Sequence, residues 1–321
     1  IEASKAWATE VCTAAGVPVP ESHVFDEPAA ADRFVRERAT AYVVKADGLA
    51  LGKGVVLPDD VEGTLAAIDW LGRQKALGSA GDRLVLQQRL SGREASVFAI
   101  CDGSDHRVIG VARDYKRIGD GDTGPNTGGM GAYTPLADLD AQLLGEIESR
   151  IIAPVLAEMR RRGAPFTGFL YAGLMLTEFG PVVIEFNSRM GDPEAQVVLP
   201  LLRFDVVAAM EAAVDGRLEE LDLPASAGAA TCVVLASRGY PGHYEAGVAI
   251  TGIDDTGPDT IVFQAGTKER DGRLVTAGGR VLAVTGLGAS VPEATARAYA
   301  GADRVGFEGA VRRSDIAAGA A

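Results

Sequence analysis

"GFLYAGLMLTEFGPVVIEFNSRMGDPE", residues 168–194, decides how the chain is read. Two apolar runs flank Glu178-Phe179-Gly180-Pro181, whose glycine and proline mark a turn, so the segment is predicted to be a β-hairpin. In its second arm Glu185 and Asn187 are spaced by two, which puts both side chains on one face of a strand. A carboxylate and an amide oxygen at that span suit magnesium, with water and phosphate oxygens completing the octahedron. Arg189 extends the row if the strand continues. For Glu185 alone, the polar outer face of an edge strand is the simpler reading. A Glu, Asn, Arg row running into "GDPE" favours phosphate chemistry.

Closer to the start, "KADGLALGKGVVL" (45–57) lies between two predicted strands and carries Gly48, Gly52 and Gly54 with Lys45 and Lys53. Glycine reaches φ > 0 without a Cβ penalty, so such a turn can aim successive N–H groups at one anion. It is not a P-loop, which needs a longer spacing before Gly-Lys, then Ser or Thr and a helix. An ordinary glycine hairpin fits the segment alone; its two lysines favour a phosphate cradle. Glu94, after "SGR", is an exposed acid by default, and its functional reading is a carboxylate accepting from ribose hydroxyls.

Helices are predicted over 2–16, 28–38, 61–71, 138–162 and within 194–215, the third with an Asp N-cap. "RLVLQQRL" and "REASVFAICDG", joined at Ser91-Gly92, and "HRVIGVAR" are expected to form one antiparallel sheet. From about residue 225, short strands separated by Gly, Asp and Pro precede a helix over 292–304, which predicts a smaller α+β domain. The expected fold class is α+β with mainly antiparallel sheets.

The chain has 321 residues, 47% hydrophobic and 6% aromatic, ample for one large or two to three ordinary domains with buried cores. A formal net charge of −13 argues against nucleic-acid partners, which need a basic surface to release phosphate counterions. Cys12, Cys101 and Cys232 are far apart and lack CxxC spacing, which points to a reducing cytoplasm and away from a disulfide framework or zinc knuckle. No apolar run reaches the ~18–20 residues of a membrane span, and the start has no signal-peptide pattern, so a soluble protein is expected. His23, His106 and His243 are scattered, and neither G-x-S-x-G nor H-E-x-x-H occurs. Phosphate chemistry is the strongest theme. Lys5, Lys45, Lys53, Arg113, Lys116, Arg117 and Arg189 all lie in or beside glycine-rich or polar motifs.

"DYKRIGDGDTGPNTGGMGAYTP" (114–135) has no usable hydrophobic period, and a loop this long costs ordering entropy and usually needs either a function or some other reason to persist. With "KADGLALGKGV", "GFLYAGLM", "IEFNSRMGDPE", "ASRGYPG", "QAGT" and "GGRVL", it makes the chain resemble the phosphoribosylamine–glycine ligases (glycinamide ribonucleotide synthetases), ATP-grasp enzymes of purine biosynthesis. The motifs occur in family order over nearly the full length. The resemblance implies an ATP-grasp domain over 1–224, two α+β subdomains with antiparallel sheets sandwiching ATP. A lid-like subdomain at about 18–90 and a C-terminal α+β domain over 225–321 are implied with it. The family's N-terminal Rossmann-like domain is expected to be absent, and with it part of the amine-substrate site.

The implied reaction starts with phosphorylation of the glycine carboxylate by ATP. The amine of 5-phosphoribosylamine then attacks the acyl phosphate, giving glycinamide ribonucleotide, ADP and phosphate. Such chemistry needs positioning, charge neutralisation and exclusion of water, with no protein nucleophile. By the same resemblance Lys5 and Lys45 contact ATP, and the 46–54 loop, with Gly48, Gly52, Lys53 and Gly54, closes over it. The Gln87–Leu90 backbone meets adenine and Glu94 the ribose. Glu185 and Asn187 bind Mg2+ or Mn2+, and Arg189 and Lys116 are catalytic. Asp114, Lys116 and Arg117 form a charged mouth to the substrate pocket. Pro125, Asn126, Thr127, Gly128, Gly129, Met130 and Gly131 wrap around glycine and phosphoribosylamine, with Arg189 and Asp192 as further contacts. Gln87-Gln88 depart from the family's two glutamates, Leu51 from a small residue and Tyr115 from a histidine. Another ATP-grasp carboxylate–amine ligase, or a nucleotide-binding fragment without full activity, stays open as an alternative.

Overall fold

A computed structural model of the chain describes residues 1–50 and 54–320, so the expectations for Leu51, Gly52 and Lys53 lie outside the described residues. The first helix, α1 (Lys5–Ala14), is capped by the Ser4 hydroxyl, which accepts from the Trp7 N–H, and it stops before Gly16 at φ 69°. Next come β1 (Ser22–Phe25), α2 (Pro28–Arg38), β2 (Tyr42–Ala46), β3 (Val55–Val56), α3 (Val61–Ile68) and β4 (Leu84–Gln88). Their strands form a four-stranded antiparallel sheet in the order β1-β4-β2-β3. Asp60 caps α3 by accepting from the Gly63 N–H, as its position predicts. Ala31, Val35, Leu65 and Ile68 from the two helices bury Val44, Leu84 and Leu86.

The chain then changes sheets. It continues as β5 (Arg93–Asp102), β6 (His106–Asp114), the hairpin of β7 (Arg117–Gly119) and β8 (Thr123–Asn126), and β9 (Gly131–Thr134). After a long helix come β10 (Thr167–Thr177) and β11 (Gly180–Asn187), the predicted hairpin. The expectation that β4 and β5 share one sheet is corrected: β5 pairs with β6 and β10. The crossover passes so close to β10 that a Cβ on Gly92 would sit 2.3 Å from the Leu176 carbonyl oxygen.

The apolar run of β5 follows from burial on both faces. Val97, Ala99 and Cys101 join Val11, Ile147, Ile151 and Val155 in one core, while Phe98 and Ile100 join another on the opposite face. The helix expected over 138–162 is α4 (Ala141–Ile147) and α5 (Ala153–Arg161), joined by a π turn at Glu148–Ile152. Pro154 has no N–H and its ring crowds the carbonyl four residues back; a wider turn just before it lets the helix continue. The helices α6 (Ala195–Val198) and α7 (Val206–Val214) cover the second core.

The rest comprises β12 (Ala229–Ser237), β13 (Thr260–Gln264), β14 (Thr267–Arg270), β15 (Arg273–Thr276), β16 (Arg280–Gly288), α8 (Val291–Ala302) and β17 (Ala310–Val311). β9 pairs with β6 on one side and β12 on the other. One nine-stranded sheet therefore runs β11-β10-β5-β6-β9-β12-β16-β13, with β17 added on β12. Among the described residues no helix is long and apolar enough to cross a membrane. Burial pushes the three free thiols, Cys12, Cys101 and Cys232, up to about 12, which suits packing and not reactivity.

The C-terminal segment also pins the β7–β8 hairpin. Arg313, 1% exposed, donates to Asp315 at 2.7 and 2.6 Å and to Asp122 at 2.7 Å, and its guanidinium lies 4.7 Å over the Tyr115 ring. Arg313→Ala is expected to cost about 2 kcal/mol in urea unfolding, less than a wholly buried pair because Asp122 faces solvent. Arg313 holds the Asp315 carboxyl at about 2. A depressed carboxyl stabilises above its ordinary pKa of about 4 and loses that contribution as pH falls toward 2, so the wild-type advantage over the variant should shrink across that range. Equal stability of the two proteins at neutral pH would show the pin to be idle.

Candidate active site

A cleft of about 320 Å³ opens between the four-stranded sheet and β11, with α1 along its side. Lys5, Lys45, Gly54, Gln87, Glu185, Asn187 and Arg189, all singled out in the sequence, line it together. Lys45 is 6% exposed, and its ammonium spans the cleft to donate to the Ile184 carbonyl at 2.8 Å. Burial lowers its pKa to about 8; the Lys5 and Lys116 cations act in the same direction, while Glu185 and Glu94 oppose them.

The Lys5 ammonium donates to the carbonyls of Ala46 at 2.7 Å and Gly48 at 3.2 Å, and burial lowers its pKa against the pull of Glu185 and Asp47. The Asp47 carboxylate accepts from the Ser4 hydroxyl at 3.0 Å and the Ala6 N–H at 2.7 Å, which fixes the start of the glycine loop to α1. Gly48 allows that path, since a Cβ there would meet Ala80 Cα at 2.9 Å. Both lysine ammoniums rest on neutral carbonyls, weaker partners than a phosphate oxygen.

Glu185 and Asn187 lie opposite Gly173 and Tyr171 of β10. The bare Gly173 leaves room for Glu185, whose Cγ would be 2.9 Å from an added Cβ. Asn187 Oδ1 accepts from Arg189 at 3.4 Å, and Arg189 Nε donates to Glu2 at 3.1 Å. The other Glu2 oxygen accepts from the Ser188 N–H at 3.0 Å and hydroxyl at 2.8 Å. Burial opposes the Glu2 carboxylate, yet Ser188 and Arg189 hold its pKa below the usual range. Glu2 was not singled out in the sequence, where nothing in its spacing ties it to Arg189. Gln87 donates to the Ser22 hydroxyl at 3.0 Å, and Leu90 is half-buried in the crossover between sheets.

Beyond the cleft lies a second polar cluster. Lys116 donates to Glu94 at 2.5 Å and stands 4.0 Å from the buried carboxylate of Asp114. Burial works against the Lys116 cation, but Asp114 and Glu94 outweigh it and hold its pKa well above the usual value. Burial raises the Asp114 carboxyl in turn. Glu194, 4% exposed, is pushed up to about 7 by burial and then by Asp114, and it interacts with Tyr171, whose hydroxyl meets Ser96 at 2.8 Å. Glu194 ends the "GDPE" motif; only its burial, invisible in sequence, separates it from an ordinary surface acid.

The glycine-rich loop is stitched to this cluster. Thr127 donates from its N–H and hydroxyl to the Lys116 carbonyl at 2.7 and 2.8 Å, and its hydroxyl accepts from the Gly129 N–H at 2.9 Å. Gly128 and Gly129 meet Asp192 through Arg280 of β16. The other predicted pocket residues sit elsewhere. Met130 is fully buried, its N–H bonded to Tyr115 and its carbonyl to Val234, and Gly131 is inside β9, where a Cβ would sit 2.6 Å from the Cys232 carbonyl oxygen. Arg117 donates to the Gly124 carbonyl at 2.7 Å within the β7–β8 hairpin, whose Pro125 and Asn126 are exposed.

Residues 3–195 match the family described as Phosphoribosylglycinamide synthetase, ATP-grasp (A) domain, and residues 230–319 match Phosphoribosylglycinamide synthetase, C domain. The chain belongs to this family. A phosphoribosylamine–glycine ligase of Streptomyces coelicolor is 47% identical to it, across 100% of this chain and 76% of the relative. One from Rhodopirellula baltica is 46% identical, across 98% and 74%. The crystal structure of the phosphoribosylamine–glycine ligase from Thermotoga maritima superposes with a TM-score of 0.88 at 36% identity, covering 98% of this chain and 78% of that one. The biotin carboxylase domain of the Hydrogenobacter thermophilus 2-oxoglutarate carboxylase, solved with MgADP, reaches 0.71 at 16% identity, a likeness of fold alone. The four-stranded sheet and the β11-β10-β5-β6-β9 part of the larger sheet fall within the ATP-grasp match, while β12, β13, β16 and β17 fall within the C-domain match or at its edge.

Proposed function

We propose that the chain ligates glycine to 5-phosphoribosylamine with ATP at two adjoining stations. ATP occupies the cleft between the sheets; glycine and the amine lie over Lys116, Asp114 and the Thr127–Gly129 loop. The observation that carries this reading is the convergence of buried Lys45 with Lys5, Glu185, Asn187 and Arg189 in one cleft, next to the Lys116 cluster.

A glycine carboxylate oxygen attacks the γ-phosphorus, and ADP leaves. The amine then attacks the carbonyl carbon, loses a proton, and phosphate departs with the former carboxylate oxygen. Lys45 and Lys5 leave their carbonyl partners for phosphate oxygens, and Arg189 faces the transferring group. Glu94 lies outside the cleft lining, paired with Lys116, and takes the ribose hydroxyls by exchanging that partner; the Gln87–Leu90 segment borders the base. The hard oxygens of Glu185 and Asn187, both lining the cleft, fit Mg2+ or Mn2+. Such an ion would neutralise charge on the phosphates. The three buried free cysteines suit a cytoplasmic enzyme.

With carboxylate-18O glycine, one labelled oxygen should appear in inorganic phosphate; unlabelled phosphate would exclude the glycyl phosphate. Gly129 provides a second check. It has φ 116°, and a Cβ would sit 2.4 Å from Pro193 Cδ. Gly129→Val is expected to raise KM for glycine or phosphoribosylamine about tenfold or more while moving KM for ATP less than about threefold. Equal weakening of all three would count against the loop as the substrate station.

A further inference from the structure

We propose that Arg280 and Tyr240, which lie in the C-terminal part of the chain, are positioning residues that set the shape of the substrate loop at Thr127–Gly129. Arg280 Nη1 donates to the carbonyls of Gly128 at 2.8 Å, Gly129 at 3.3 Å and Asp192 at 2.7 Å, while Nη2 donates to the Asp192 carboxylate at 3.0 Å. Two segments far apart in sequence are joined by one guanidinium. A planar fork with fixed donor directions can serve these acceptors together; a lysine ammonium keeps the charge and loses the fork.

Tyr240 holds the other side of the same loop, its hydroxyl accepting from the Gly128 N–H at 2.9 Å. Its ring lies against Gly279, the neighbour of Arg280, where an added Cβ would be 2.2 Å from Tyr240 Cδ2. The two holding groups therefore support each other. Gly128 is gripped at both its N–H and its carbonyl, and a Cβ there would approach Arg280 Cζ to 3.0 Å. Thr127, the residue before it, donates from its N–H and hydroxyl to the Lys116 carbonyl. The path from Lys116 through the loop to Asp192 is thus continuous, and its far end is set by β16. The other Asp192 oxygen accepts from Gln196 at 2.9 Å, so this carboxylate is committed to bracing the turn.

This inference rests on the reading of the loop as the glycine and phosphoribosylamine station, and the test separates the two. Steady-state kinetics on the intact ligase would compare Arg280→Ala, Arg280→Lys, Tyr240→Phe and Gly129→Val, with thermal unfolding of each. Arg280→Ala is expected to raise KM for glycine or phosphoribosylamine about tenfold, the scale of lost hydrogen bonds to a charged group, with KM for ATP within about twofold. Arg280→Lys should recover only part of that loss. Tyr240→Phe, which removes one hydroxyl, should give a selective rise of about threefold.

If Arg280→Ala and Tyr240→Phe leave these KM values unchanged while Gly129→Val raises them, the clamp is wrong and the loop reading stands. If none of the three moves them, the loop reading falls first and the clamp with it. A lower melting temperature with kcat reduced and every KM unchanged marks a purely structural role and also overturns the proposal. Should Arg280→Ala fail to fold, Tyr240→Phe decides between the same outcomes.

Discussion

Glu185→Ala is expected to lower glycine-dependent ADP formation by the intact ligase about a thousandfold at saturating ATP, the rate equivalent of losing several kcal/mol of charge stabilisation at the transferring phosphoryl group. Among the described residues, no hydrogen bond or ion pair holds the cleft-lining carboxylate of Glu185. Glu2, the other acid lining the cleft, is held by Ser188 and Arg189. The neutral amide of Asn187 cannot replace the lost charge. Glu185→Gln keeps the shape and an oxygen donor but removes the charge, so it should fall between wild type and Ala. Turnover measured across a magnesium titration checks this, and unchanged activity in Glu185→Ala would remove Glu185 from the phosphate site.

Lys45→Met should reduce kcat/KM for ATP about a hundredfold, because methionine fills nearly the same buried space and supplies no charge or donor to a phosphate oxygen. The pH profile gives an independent reading. A lysine is cationic below its pKa, and burial sets that of Lys45 at about 8. In the free enzyme, kcat/KM for ATP should fall as pH rises through about 8, and Lys45→Met should lack that limb. For folding the sign is opposite. A lysine whose pKa is lowered on folding costs stability while charged, and that cost disappears between pH 8 and the ordinary value of about 10.4. A wild-type profile flat across this range would separate Lys45 from ATP binding.

The convergence of Lys45, Glu185 and Asn187 in one cleft, proposed to hold the nucleotide, was legible because its signals are local. Period-two spacing places Glu185 beside Asn187, and glycines beside Lys45 announce a backbone-lined turn. The change of sheet between β4 and β5 was not legible, since two successive apolar strands look the same whether or not they pair. The π turn before Pro154 follows from a single missing N–H, although the helical period around it runs unbroken. Glu2, Glu194, Tyr240 and Arg280 matter through residues far away in the chain: Glu2 meets Ser188, and Arg280 meets Gly128. No spacing rule joins such positions. The 114–135 loop divides in the same way, its Thr127–Gly129 part standing at the Lys116 cluster while its hairpin is held by Arg313 and Asp315.

Ligation at this cleft is tested most directly by ADP release from Mg-ATP with the intact ligase, glycine and phosphoribosylamine each being present or omitted. ADP should form in step with glycinamide ribonucleotide only when both are supplied. ADP release indifferent to either substrate, or none above background with both present, would contradict it.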